Sequence, residues 1–189
     1  MFQFQALHGK EESCRENMKN CIWLMFLCFL AMACAKAPTN NPAESNASEP
    51  PSINSVDVVK ASPQEVTIAA GESGEVVVKL QITGGYHVNA NPPTFSYLKA
   101  TQLEITPADG LTVEFITYPD PVTRTFSFSP EKPLAVYEGE TTLKARLKAD
   151  KASKPGTHNL SAKLRVQACD DKVCYAPGAI NLVVPVNIK

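Results

Sequence analysis

Period-two alternation constrains this chain more than any other feature. In Leu143-Lys144-Ala145-Arg146-Leu147-Lys148-Ala149 every other residue is apolar and each one between is basic. A helix would scatter those apolar groups around its surface, whereas a strand sends them all to one face. Leu160–Ala168 repeats the pattern with mixed polar partners, and Val76, Val78, Leu80 and Ile82 share a face within Glu75–Ile82. Ile180–Ile188 also alternates and sets Pro185 on its outward face, which points to an edge strand or a bulge.

Shorter strand candidates are Asp57–Lys60, Glu65–Ala69, Tyr86–Asn89, Gln102–Thr106, Leu111–Tyr118, Thr125–Ser129 and Leu134–Tyr137. Turn signals separate them: Gly71, Gly84-Gly85, Asp109-Gly110, Pro119-Asp120-Pro121, Pro130, Gly139 and Pro155-Gly156. No stretch supports a long helix. Roughly eight to eleven short strands with proline-rich turns read as an all-β chain, an antiparallel β-sandwich over residues 56–189. That span is an ordinary size for one core.

Ahead of it the composition is different. The apolar run Cys21–Cys34 is shorter than the ~20 residues a spanning helix needs. It follows Met18-Lys19-Asn20, a minimal positive start, and ends in small residues, so residues 1–33 read as a signal segment. Ala31 and Ala33 before Cys34 resemble a bacterial lipobox, with Cys34 the lipidated residue and the chain held on a membrane by that anchor. Residues 34–55, rich in Pro, Asn and Ser, have little to bury and read as a flexible tether. Export places the domain in an oxidising space. The formal charge of −1 gives no basic excess, which argues against nucleic acid as a partner.

Of the six cysteines, only Cys169 and Cys174 lie beyond residue 34. The alternation through Leu160, Ala162, Leu164, Val166 and Ala168 makes those residues core and turns Cys169 the other way, at a strand end. Asp170-Asp171-Lys172-Val173 forms a short polar turn, and Cys174 opens the next strand. Cysteines flanking a hairpin connection face each other at disulfide-compatible distance. As a staple the bond has a weak energetic case, since closing a loop of about six residues contributes only ~2 kcal/mol. Metal binding is poorly supported, because His87 and His158 stand singly without ligand spacing, and no cofactor is expected. Redox dithiol, structural staple and metal pair all stay open on the residues alone. Asp170 and Asp171 disfavour a thiolate at Cys169 and no helix N-terminus is in sight to favour one, so the pair reads as one acted upon by a more reactive thiolate.

Three segments carry a family resemblance: Gly85-Tyr86-His87-Val88-Asn89-Ala90-Asn91-Pro92-Pro93, Val136-Tyr137-Glu138-Gly139, and Gln167-Ala168-Cys169 through Cys174-Tyr175-Ala176-Pro177. Together they resemble the N-terminal domain of the thiol:disulfide interchange protein DsbD. The resemblance implies an immunoglobulin-like sandwich that shuttles electrons in the periplasm, a component of a thiol–disulfide oxidoreductase and not a complete reductase. It implies a Cys169–Cys174 disulfide, with Cys174 forming mixed disulfides and Cys169 resolving them. It implies a cap loop near Thr123–Lys132 in which Phe126 or Phe128 shields the pair. Some members carry tyrosines where His87 and Asn89 fall, making these two pocket candidates. The implied partners are a thioredoxin-like protein and a membrane electron-transfer protein on separate chains, and a disulfide-bonded client or isomerase. The competing expectation is an interaction or scaffolding sandwich whose disulfide is purely structural.

Overall fold

The computed structural model describes residues 53–189. The signal segment 1–33, the lipidation candidate Cys34 and the tether up to residue 52 lie outside the described residues. Ser55, which composition assigned to the tether, is fully buried. Its hydroxyl donates to the Ala176 carbonyl at 2.6 Å and accepts from the Ala168 N–H at 2.9 Å. The fold therefore takes in this residue, one position ahead of the expected boundary.

The described residues form strands and turns. The first six strands are β1 (Val59–Pro63), β2 (Val66–Ile68), β3 (Ser73–Ile82), β4 (His87–Asn89), β5 (Gln102–Ile105) and β6 (Leu111–Thr117). They are followed by β7 (Val122–Phe126), β8 (Ser129–Tyr137), β9 (Glu140–Ala149), β10 (Gly156–Val166), β11 (Ala168–Cys169) and β12 (Gly178–Ile188). Three four-stranded sheets result, ordered β1-β3-β9-β6, β2-β12-β10-β5 and β11-β4-β8-β7.

The first two sheets make the sandwich. The alternating residues predicted for the core supply it: Val76, Val78, Leu80 and Ile82 from β3, Leu143, Ala145, Leu147 and Ala149 from β9, and Leu160, Ala162, Leu164 and Val166 from β10 are all buried in one cluster. Lys144, Arg146 and Lys148 alternate off that face, as the period-two rule requires. This is the all-β sandwich expected from the pattern, and it is consistent with the immunoglobulin-like class that the resemblance implies.

Two local expectations need correcting. Thr125–Ser129 is no strand: β7 ends at Phe126, Ser127 and Phe128 form the tip, and β8 begins at Ser129. Pro130 lies within β8 and does not end it. The β7–β8 register passes from Phe126↔Ser129 to Arg124↔Leu134, so residues 130–133 have no partner on β7 and the prolines forfeit no ladder bond there. Pro185 sits in a strand with neighbours on both sides, but β2 joins β12 only from Val186 onward. At Pro185 itself β12 is still an edge.

Candidate active site

The third, smaller sheet exists because the chain changes sheets at Gln167. β10 ends at Val166, and two residues later Ala168 and Cys169 pair with Val88 and His87 of β4. The Gln167 side chain holds the crossing. Its Oε1 accepts from the Lys99 N–H at 2.8 Å and from Asn89 Nδ2 at 3.1 Å, while Nε2 donates to the Tyr175 carbonyl at 3.2 Å.

Beyond it, Cys169 and Cys174 form a disulfide. They are a non-hydrogen-bonded antiparallel pair, flanked by Tyr175 N–H to Ala168 O at 2.8 Å and Asp170 N–H to Val173 O at 3.0 Å. Such pairs bring side chains closest together, which suits a bridge. Asp170 organises the turn: its carboxylate accepts from the Lys172 and Val173 N–H groups at 2.7 and 2.8 Å and from the Tyr175 hydroxyl at 2.6 Å. The Tyr175 bond, reinforced by the Lys172 N–H, holds the Asp170 carboxyl below its ordinary value. The same bond pushes the Tyr175 phenol up to about 12. Asp170 is thus a loop-building residue as well as a negative charge beside the cysteines.

The two sulfurs differ in surroundings. Cys169 is fully buried and stands outside the main core cluster; a second apolar cluster of Leu98, Phe126, Leu134 and Val136 meets its bonded partner Cys174. Cys174 is half-buried against the same cluster. It also lines an open recess of about 240 Å³ with Phe95, Tyr97, Leu98, Phe128 and Val173. A larger groove of about 500 Å³ over β1, β3 and β9 contains no cysteine or histidine.

The two shield candidates part company here. Phe126 is 2% exposed and belongs to the second cluster, whereas Phe128 is 40% exposed and walls the recess. Their rings stack at 5.1 Å. Between them Ser127 Oγ donates to the Asp171 carbonyl at 2.5 Å, tying the β7–β8 tip to the cysteine turn.

The pocket candidates also separate. Asn89 is buried and braces the sheet crossing, with Nδ2 donating to Gln167 and to the Lys99 carbonyl at 3.2 Å. His87 stands directly opposite Cys169. Its ring meets Phe126 edge-on at 5.1 Å, and Nε2 lies 3.1 Å from Glu138 Oε2. Arg124 grips the same carboxylate through Nε and Nη2. That grip holds the Glu138 carboxyl below its usual range and raises the Arg124 guanidinium. Glu138, Ser127 and Ser55 were not singled out by sequence reasoning. Their roles depend on partners 14 or more positions away, for which local pattern carries no signal. Among the described residues no group of three His, Cys, Asp or Glu is arranged to hold a metal.

The model of one protein family, described as thiol:disulfide interchange protein DsbD, N-terminal, matches residues 55–182. The chain belongs to this family. The match spans the β7–β8 tip and the cysteine hairpin, and makes the domain a thiol–disulfide interchange module by family. Among solved structures, the N-terminal periplasmic domain of ScsB from Proteus mirabilis is similar at 16% identity and TM-score 0.47. The alignment covers 67% of this chain and 44% of that one, so the chain spans less than half of the ScsB structure. CaCohA2 from Clostridium acetobutylicum is similar at 13% identity and TM-score 0.40, over 70% of this chain and 91% of that one. A cohesin–dockerin complex from Clostridium thermocellum gives 14% identity and TM-score 0.40, over 70% and 99%. No curated protein matches the sequence.

Proposed function

We propose that this domain is an exported thiol–disulfide shuttle, acting on the periplasmic side of a bacterial membrane through the Cys169–Cys174 pair. The observation that carries this reading is the unequal access of the two sulfurs: Cys174 lines an open apolar recess and Cys169 is fully buried. A partner thiolate reaches Cys174 first and forms a mixed disulfide there, and Cys169 leaves as a thiolate that takes up a proton. The partner's second thiol then attacks its own bridging sulfur and releases Cys174. Two electrons and two protons have entered the domain, and the partner leaves as a disulfide. The reverse sequence hands them to a disulfide-bonded client or isomerase. Thioredoxin-like and membrane electron-transfer proteins are the matching donors. A scaffolding sandwich with an inert staple would have no use for an open recess beside one sulfur.

Two measurements test the reading. Cys169→Ser should trap mixed disulfides through Cys174 on non-reducing gels, and Cys174→Ser should not; equal adducts from both variants would contradict the assigned roles. The reduction potential of the pair should lie above about −300 mV, the region below which structural bonds fall. Anchoring through Cys34 is a separate part of the proposal. Metabolic labelling with a radioactive fatty acid should mark the parent chain and not Cys34→Ser.

A further inference from the structure

We propose that His87 is the proton acceptor for Cys169, so that Cys169, His87 and Glu138 work as a row across the third sheet. The proposal rests on the shuttle reading above and concerns how its buried sulfur is activated.

Cys169 and His87 are directly opposite on β11 and β4, which puts their side chains on one face with Cβ atoms about 4.5–5.5 Å apart. The β4–β8 register, Val88↔Tyr137 and Asn89↔Val136, carries His87 on to Glu138 on its other side. Nε2 lies 3.1 Å from the Glu138 carboxylate, and Arg124 fixes that carboxylate in turn. A ring that donates from Nε2 to a carboxylate keeps its acceptor lone pair on Nδ1 when neutral. His87 Nδ1 is buried and has no hydrogen-bond partner in the protein.

A buried acceptor without a partner is costly, and native folds rarely keep one without a use. In the disulfide form Cys169 has no proton to offer. In the reduced or mixed-disulfide form it carries an S–H, the donor that Nδ1 lacks. Nucleophile, base and a third group that orients the base is the arrangement that activates weak nucleophiles. When Cys174 is joined to a partner sulfur, the Cys169 proton passes to Nδ1 and its thiolate attacks Cys174 Sγ. The partner sulfur leaves as a thiolate and is protonated in turn. Atoms and charge balance without a further reagent.

The charged groups on the elements next to His87 are Glu138 just after β8, Arg124 on β7 and Asp170 after β11. Arg124 is committed to Glu138, and Asp170 to Tyr175 and two backbone N–H groups. Among these, Glu138 alone contacts the imidazole, and it orients the ring.

The test mixes the reduced full chain with oxidised glutathione, quenches in acid, and locates glutathione on Cys174 by peptide mass spectrometry. Cys169→Ser provides the reference in which the adduct persists. In the parent at neutral pH the adduct should be fleeting. In His87→Gln and His87→Phe closure should slow by about 100-fold, the low side of general-base effects, and the adduct should accumulate. Raising the pH toward about 10 should restore closure in both variants, because hydroxide then removes the Cys169 proton that Nδ1 no longer accepts. Damage to packing would persist at that pH. Parent-like closure in both variants at neutral pH would overturn the role of His87 and leave the shuttle intact. Loss of the adduct from the Cys169→Ser reference would remove the shuttle assignment itself, and the proposal with it.

Discussion

Ser127 and Asp171 belong to different hairpins, 44 positions apart, and a single hydrogen bond of 2.5 Å joins them. It is the one side-chain hydrogen bond among the described residues that fastens the β7–β8 tip to the turn between the cysteines. Ser127→Ala should therefore free the tip. Both residues are exposed, so the stability loss should stay within about 1 kcal/mol. Reduction by dithiothreitol should become several-fold faster. Paired thermal melts and reduction time courses check this, and an unchanged rate would mean the tip does not limit access.

Phe126 and Phe128 should respond differently to truncation. Phe126→Ala empties a buried site and should cost about 3–5 kcal/mol. Phe128→Ala removes a half-open wall of the recess beside Cys174, leaving the fold intact and speeding reduction by small thiols. Urea titrations and reduction rates on the two variants separate the effects. Equal destabilisation by both would rule out a shielding role for Phe128.

Ser55→Ala should loosen the hairpin from below. It leaves the buried Ala168 N–H without its side-chain acceptor and the Ala176 carbonyl without its donor. The cost should be about 1–3 kcal/mol. Hydrogen exchange should quicken at the Ala168 amide first, and an amide as protected as in the parent would count against the bridge.

The turn should be sensitive to pH at both extremes. Asp170 has a folded-state value below its unfolded one, so its contribution is present above about pH 3.9 and is lost as pH falls through the folded value. Tyr175 is raised to about 12, so its contribution is complete below about pH 10 and disappears as pH rises toward 12. Tyr175→Phe should move the Asp170 carboxyl back up, which a carbon-detected NMR titration reads directly. An unmoved carboxyl would show that the two backbone N–H groups suffice to hold it.

The sandwich was legible because β3, β9 and β10 carry their core residues at every second position, a pattern that needs no knowledge of partners. The family resemblance likewise rests on short local segments around His87, Glu138 and the cysteines. The burial of Cys169 was not legible. Alternation turned it off the main core face, and the cluster of Leu98, Phe126, Leu134 and Val136 that meets its bonded partner Cys174 is one that only the folded chain brings together. Pro130 misled for a related reason: a proline ends a paired strand, and whether β8 is paired at that point depends on the register of β7. Ser55 was hidden by its polar neighbours, since composition cannot distinguish a solvated serine from one that completes a distant backbone.

The cysteine turn keeps its shape by means other than sulfur. Two backbone bonds flank the bridge, three bonds to the Asp170 carboxylate brace the loop, and Gln167 grips the Tyr175 carbonyl. Cutting the disulfide therefore releases little chain, and the oxidised and reduced forms share nearly the same scaffold. Charging and discharging this domain should involve almost no heat-capacity change, because no apolar surface is uncovered. On the proposed reading it would act as a rigid electrical contact, with movement confined to the Phe128 tip and to the partner.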